Sequence, residues 1–248
     1  MNRIAALGDI HGNIVALNAV LNDIKKETVD WLLNTGDLVG YYYHADQVLH
    51  ALKNWQCEQV QGNHDAMLGE IGIWSDELKK DYLHKYGGAL EQAANELLTR
   101  EQVAYLARLP YRKELYIAGR HILLCHGSPW DRDEYIYPDA PNEVLARCTM
   151  GDFNVVVMGH THYPMIKQYR HTLIVNPGSV GQPRNNQTAA SWALLDLDDL
   201  TAQLRHVTYD VVSVIAEAHR NDPKVPYLAE VLERKKGDTW LNTNMQSP

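Results

Sequence analysis

Five short apolar runs in this chain each end in residues of a type that binds metal ions. Ile4–Leu7 leads into Gly8-Asp9-Ile10-His11, and Trp31–Asn34 into Gly36-Asp37. Cys57–Val60 leads into Gly62-Asn63-His64-Asp65, Ile122–Cys125 into His126-Gly127, and Val155–Met158 into Gly159-His160-Thr161-His162. Runs this short, bounded by glycine, read as buried strands rather than helices. In open α/β sheets the ligand site lies beyond the carboxyl ends of the strands. Five separate segments are therefore expected to deliver Asp, Asn and His side chains to one rim.

The segments between them supply the connections. Ile14, Leu17, Val20, Leu21 and Ile24 have helical spacing, with Asn13 as the N-cap, and Ala45–Leu52 reads as a second helix. This strand–helix–strand rhythm predicts parallel crossovers. From Ser75 to Leu109 the pattern changes to three helices, Asp76–Tyr86, Ala89–Leu98 and Arg100–Leu109, with Gly87-Gly88 as a break, Thr99 as a cap and Pro110 as a stop. It is expected to be a helical insertion over one face or edge of the sheet, and it carries no ligand-rich cluster. Arg112–Ala118 and Arg120–Cys125 form a hairpin pattern about Gly119. A long connection follows, with a helix at Asn142–Met150. Strands are then predicted at Met165–Tyr169, Thr172–Val175, Ala189–Leu197 and Ala202–Thr208, and closing helices at Asp210–Arg220 and Tyr227–Arg234. Residues 1–248 are read as one domain interrupted by the helical insertion at about 75–110.

Composition excludes some functions. No apolar stretch reaches the ~18 residues of a membrane span, and no signal segment precedes the first strand, so a cytoplasmic protein is expected. A net charge of −8 with no basic stripe argues against stable binding to duplex nucleic acid. The short cluster Arg234-Lys235-Lys236 reads as a helix terminus, and Thr239–Pro248 as a fraying end. Cys57, Cys125 and Cys148 are an odd, widely spaced set that suits reduced thiols packed in a core.

Hard divalent ions select carboxylate and imidazole donors. Asp9 and His11 are two residues apart, as are His160 and His162, so an extended turn can present both members of a pair. Of the 12 histidines, His11, His64, His126, His160 and His162 fall in the strand-end clusters. Taken singly, each residue has a plainer role. Asp9 and Asp37 can cap helices, Asn63 can make a turn, and His126 can sit in a core.

Together and in order, these motifs resemble the calcineurin-like metallophosphoesterases, and the resemblance covers nearly the whole chain. Gly36-Asp37-Leu38-Val39-Gly40-Tyr41, Leu98-Thr99-Arg100-Glu101 with Leu109-Pro110, and Asn176-Pro177-Gly178-Ser179-Val180-Gly181-Gln182-Pro183-Arg184 resemble the small bacterial and archaeal phosphodiesterase branch. The resemblance implies an α/β fold in which a two-layer β-sandwich is flanked by helices. It implies two divalent metal ions, most simply Mn²⁺, with Fe, Zn, Ni or Mg as alternatives. One would be held by Asp9, His11, Asp37 and His162, the other by Asp37, Asn63, His126 and His160, with Asp37 bridging. The implied reaction is in-line attack of a metal-bridging hydroxide on a phosphodiester or small nucleotide. His64, as imidazolium, would protonate the leaving oxygen.

The same ligand set also suits a phosphomonoesterase or a dinucleoside-polyphosphate hydrolase. A non-catalytic scaffold is a further alternative, since the retromer subunit of this fold is an interaction module. Asp65 either orients His64 or serves as an N-cap or turn carboxylate. Asn63 and Arg184 are expected substrate contacts, although Arg184 is equally readable as a structural arginine. Tyr41, Tyr42 and Tyr43 depart from the Gly and Pro of relatives. They read as a buried aromatic cluster, with base stacking as the other option. Trp130, Arg132 and Tyr135 are candidates for one wall of the site.

Overall fold

The computed structural model describes residues 2–234. Lys235, Lys236 and Thr239–Pro248 of the sequence analysis lie outside that range. Two five-stranded sheets face each other. The first has the order β10-β9-β1-β2-β3, built from β1 (Arg3–Leu7), β2 (Trp31–Asn34), β3 (Cys57–Gln59), β9 (Ala190–Asp196) and β10 (Thr201–Val207). The second has the order β4-β5-β6-β8-β7, from β4 (Arg112–Ile117), β5 (Arg120–Cys125), β6 (Val155–Val157), β7 (Met165–Tyr169) and β8 (Thr172–Asn176). This is the expected two-layer sandwich flanked by helices.

Side-chain alternation explains why the strands read as continuous apolar runs. Ile4 and Ala6 of β1 point into the space between the sheets with Leu33, Ile122, Leu124, Val155, Val157, Leu173 and Val175. Ala5 and Leu7 point the other way, under α1 (Ile14–Ile24) and α2 (Ala45–Leu52). Leu123, Cys125, Val156 and Ile174 likewise face outward, beneath α7 (Asn142–Cys148). A strand covered on both faces has no polar alternation to display. Cys125 and Cys148 are buried in this outer layer and Cys57 is partly buried, all three as free thiols.

The middle strands of both sheets are parallel: β1 with β2, β2 with β3, β5 with β6, and β6 with β8. Parallel strands end on the same side, so the loops after β1, β2, β3, β5 and β6 share one rim. The antiparallel pairs β1–β9, β9–β10, β4–β5 and β7–β8 complete the two sheets.

After β3 come α3 (Asn63–Glu70) and a 3₁₀ turn at Ile71–Ile73, and the helices expected as an insertion follow: α4 (Asp76–Tyr86), α5 (Ala89–Gln92) running into a π-helical turn at Ala93–Leu97, and α6 (Arg100–Arg108). Asn13 caps α1 through Ala16 N, and Thr99 caps α6 through Gln102 N, as their sequence context predicts. The closing helices α8 (Val211–Asn221) and α9 (Tyr227–Glu233) pack on Tyr42 and Tyr43. The Tyr42 hydroxyl donates to Leu228 O and that of Tyr43 to Asp222. No helix among the described residues is long and apolar enough to cross a membrane.

Candidate metal centre

The strand-end loops hold their functional residues in an unusual backbone state. Asp9, His11, Asp37, His160 and His162 all have φ between 50° and 68°. They are half of the ten non-glycine residues with positive φ among the described residues. This left-handed region costs a residue with a Cβ about 1–3 kcal/mol and concentrates at functional sites. Hydrogen bonds sustain it here. Asp9 N donates to Gly36 O, Ile10 N and His11 N both donate to Asp37 O, and His160 N donates to the Asp9 carboxylate at 3.1 Å. Gly40 (φ 135°) passes so close that an added Cβ would lie 2.8 Å from His11 Nδ1 and 2.9 Å from His64 Nδ1.

These loops bring Asp9, His11, Asp37, Asn63, His126, His160 and His162 together. Three groupings of donor atoms lie within 4.8 Å of one another: Asp9–His11–His162, His11–Asp37–His64, and Asp37–His126–His160. Asp37 Oδ2 stands 3.6 Å from both His11 Nε2 and His126 Nε2, midway between the outer two groups. Asn63 Oδ1 is 3.1 Å from His126 Nε2. His162 Nε2 lies 3.5 Å from Asp9 Oδ1, which is buried with no hydrogen-bond partner.

Four of the imidazoles share one device. A backbone carbonyl only accepts, so a ring nitrogen against one must donate. His11 Nδ1 donates to Val39 O, His126 Nδ1 to Thr35 O, His162 Nδ1 to Gln182 O and His160 Nε2 to Asp133 O. Burial is the first cause that holds all four below the usual imidazole range, with His126 at about 4. Each ring is thus neutral at pH 7, with its second nitrogen a bare lone pair. Those lone pairs meet in twos: His11 Nε2 and His162 Nε2 at 3.1 Å, His126 Nε2 and His160 Nδ1 at 3.1 Å. Facing lone pairs, together with buried carboxylates, need a cation between them, so the donor set fits divalent metal ions. The carboxylates agree. Burial, and then the neighbouring charge of Asp37, raise Asp9 well above its usual range, and burial pushes Asp37 up to about 7.

His64 is held differently. Its Nδ1 lies 3.0 Å from the Tyr82 hydroxyl, and its ring packs against His11, Tyr41 and Tyr86. Burial, then the positive charge of Arg184, push it down to about 3. The expected orientation of His64 by Asp65 is corrected here. The Asp65 carboxylate accepts from Asp37 N, Leu38 N and Gly62 N at 2.8–3.0 Å. It is the turn carboxylate of the alternative reading, and it braces the loop that carries Asp37.

Arg184 reaches the site from the loop after β8. Its Nη2 donates to Tyr41 Oη and to Gln182 Oε1, both at 3.0 Å. Its charge acts on Asp9, Asp37, His64 and His162. Tyr41 therefore belongs to the site, while it also shares with Tyr42 and Tyr43 the cluster under the closing helices. Of the proposed wall, Tyr135 stacks on His160 at 4.0 Å, Arg132 bonds Gln61 and Asp133, and Trp130 turns away to Arg147. Sequence reasoning did not find Tyr82 and Tyr86. Their only signal, the i, i+4 stripe Leu78–Tyr82–Tyr86, is that of ordinary helix packing.

Known proteins share this sequence pattern and this fold. The sequence model of the calcineurin-like phosphoesterase superfamily domain matches residues 2–200. The uncharacterized protein MJ0912 of Methanocaldococcus jannaschii is 30% identical over 236 residues, covering 88% of this chain and 92% of that protein. A metallophosphoesterase from Sphaerobacter thermophilus superposes with a TM-score of 0.76 at 28% identity, covering 94% of this chain and 98% of the other. The hypothetical protein PH1004 of Pyrococcus horikoshii OT3 shares the fold, with a TM-score of 0.79 at 22% identity over 95% of this chain and 99% of its own.

Proposed function

The chain belongs to the calcineurin-like phosphoesterase superfamily, and from that membership we propose that it is a dinuclear metal-dependent hydrolase of phosphodiesters or small nucleotides. The observation that carries this reading is the pair of facing imidazole couples flanking Asp37, each ring locked by a backbone carbonyl. Asp9, His11, Asp37 and His162 would hold one divalent ion, and Asp37, Asn63, His126 and His160 the other, with Mn²⁺ the proposed pair. Bound there, two such ions supply a hydroxide nucleophile near neutral pH and neutralise phosphate charge.

The remaining residues act on the substrate. Arg184, already braced by Tyr41 and Gln182, offers a fixed guanidinium to a phosphoryl oxygen. Asn63, at the first turn of α3, offers its side-chain amide beside the same group. His64 donates a hydrogen from its free ring nitrogen to the leaving oxygen, where negative charge develops as the P–O bond breaks. A phosphodiester anion beside the ring favours the imidazolium, so the buried imidazole takes up a proton from solvent as the substrate binds.

Hydrolysis of bis-p-nitrophenyl phosphate is the direct test. We expect turnover with added Mn²⁺ and its loss on exhaustive chelation, restored by adding Mn²⁺ back. Turnover that survives chelation contradicts the proposal.

A further inference from the structure

Five histidines line the metal centre, and four are pinned through one ring nitrogen by a backbone carbonyl. Only His64 is held by a side-chain hydroxyl, that of Tyr82, which comes from α4 of the helical insertion. We propose that Tyr82 is a positioning residue for phosphoester hydrolysis: its hydroxyl fixes the ring of His64 so that Nε2–H, not Nδ1–H, is presented to the leaving oxygen. This rests on the reading of His64 as the leaving-group donor.

Tyr82 is buried, and its ring is packed between Trp74 at 5.3 Å and Tyr86 at 4.8 Å. Those contacts fix the place of the hydroxyl. Burial also raises its ionisation well above the usual phenol range, so it keeps its proton. A phenol O–H 3.0 Å from Nδ1 can donate to that nitrogen, and in the proposed arrangement it does so, with the hydrogen of the neutral ring on Nε2. A backbone carbonyl only accepts, so each of the other four rings carries its hydrogen on the pinned nitrogen. A hydroxyl can instead leave the hydrogen on the far nitrogen, which is the one that must face the substrate. Asp65 does not compete for this place, because three backbone amides occupy its carboxylate. Gly40 leaves the room, since a Cβ there would press on His64 Nδ1 itself.

Two measurements test the assignment. The first uses the unmutated, metal-free protein: long-range ¹H–¹⁵N spectra of the imidazoles, with His64 assigned by its loss in His64→Gln. We expect a single Nε2–H tautomer for His64, turning into a mixture in Tyr82→Phe. A Nδ1–H form in the unmutated protein overturns the proposal without any reference to activity. The second compares substrates in the Mn²⁺-loaded enzyme. Tyr82→Phe is expected to lower kcat about tenfold on alkyl leaving groups, with KM and the rate on p-nitrophenyl leaving groups changed less than about twofold. In a His64→Gln background it should add nothing. An equal loss on both leaving-group classes, or an additive loss in the double variant, makes Tyr82 merely structural. If His64→Gln itself shows no leaving-group dependence, the donor reading of His64 fails instead, and the two failures are told apart.

Discussion

The strand-end loops and the helical insertion border the same histidines and do so by different physics. The loops use backbone: left-handed φ angles, carbonyl acceptors and glycines that allow close approach fix Asp9, His11, Asp37, His160 and His162. The insertion uses side chains: Tyr82 and Tyr86 rest on His64 through one hydroxyl and a set of ring contacts. Backbone fixation gives a set of lone pairs in one arrangement. Side-chain fixation gives a group whose partner can either donate or accept. The loops are built to hold ions, and the insertion to steer the residue beside them.

The largest effect should come from Asp37→Asn, which tests the loop side of this contrast. Asparagine keeps an acceptor for His64 N, now made by Asp37 Oδ1 at 2.8 Å, so the fold should survive. It removes the charge that stands 3.6 Å from both His11 and His126. We expect both ions to be lost in metal analysis and turnover to fall by on the order of 10³. Retention of two ions would break the idea that one carboxylate serves both groups.

Chelation should come next, and its sign follows from the buried carboxylates. Without metal, Asp37 and Asp65 in the folded chain are raised to about 7, against an ordinary value of 3.8. The metal-free fold therefore holds protons that the unfolded chain has released. That contribution is complete below about pH 4 and is lost as pH climbs through 7. The ligand histidines run oppositely, since lowered values make the fold gain stability as pH rises to the usual imidazole range near 6.5. By about pH 8 both changes are nearly complete, and protons compete little with metal for Asp37. Chelation should thus cost more Tm at pH 8 than at pH 6, corresponding at pH 8 to about 2–4 kcal/mol. Equal losses at both pH values would show that the ions are not displacing these protons.

Gly40→Ala probes the seam between the two regions. Its φ of 135° and the nearness of the His11 and His64 Nδ1 atoms mean that any Cβ must displace one ring. The backbone part alone should cost about 1–3 kcal/mol of stability. Turnover should fall by about ten- to a hundredfold, as both the ligand and the donor shift. Full metal content with the same loss on good and poor leaving groups would place the damage in the loops rather than at His64.

The same contrast explains what could be read from sequence. The loop residues were legible because chemistry repeats: Gly then Asp, Asn or His after a short apolar run, several times in order. The two-sheet sandwich was legible for a related reason, since strands covered on both faces lose polar alternation. Tyr82 was not legible. A tyrosine four residues after Leu78 and four before Tyr86 looks like helix packing, and only the tertiary placement of α4 shows its hydroxyl meeting His64. Asp65 was misleading for the opposite reason. It adjoins His64 in sequence, but the first turn of α3 aims its carboxylate at the amides of the Asp37 loop. Neighbours along a helix start point in different directions, so adjacency did not mean contact.

The smallest effect should come from Thr99→Ala, which asks whether the insertion acts as one body. Thr99 Oγ1 accepts from Gln102 N at 3.3 Å, and Gln102 Oε1 accepts from Thr99 N at 2.8 Å. Losing this capping box should cost about 1 kcal/mol, or roughly 2–4 °C in Tm for a chain of this size. The tie between α6 and the site lies at its other end, where Gln61 Nε2 donates to Leu106 O and Ala107 O just before Gly62-Asn63-His64. Turnover should therefore stay within about twofold on every leaving group, because fraying at the first turn leaves that tie in place. A leaving-group-dependent loss like that expected for Tyr82→Phe would mean that loosening α6 moves α4. The insertion would then steer His64 as a rigid unit rather than through a single hydroxyl.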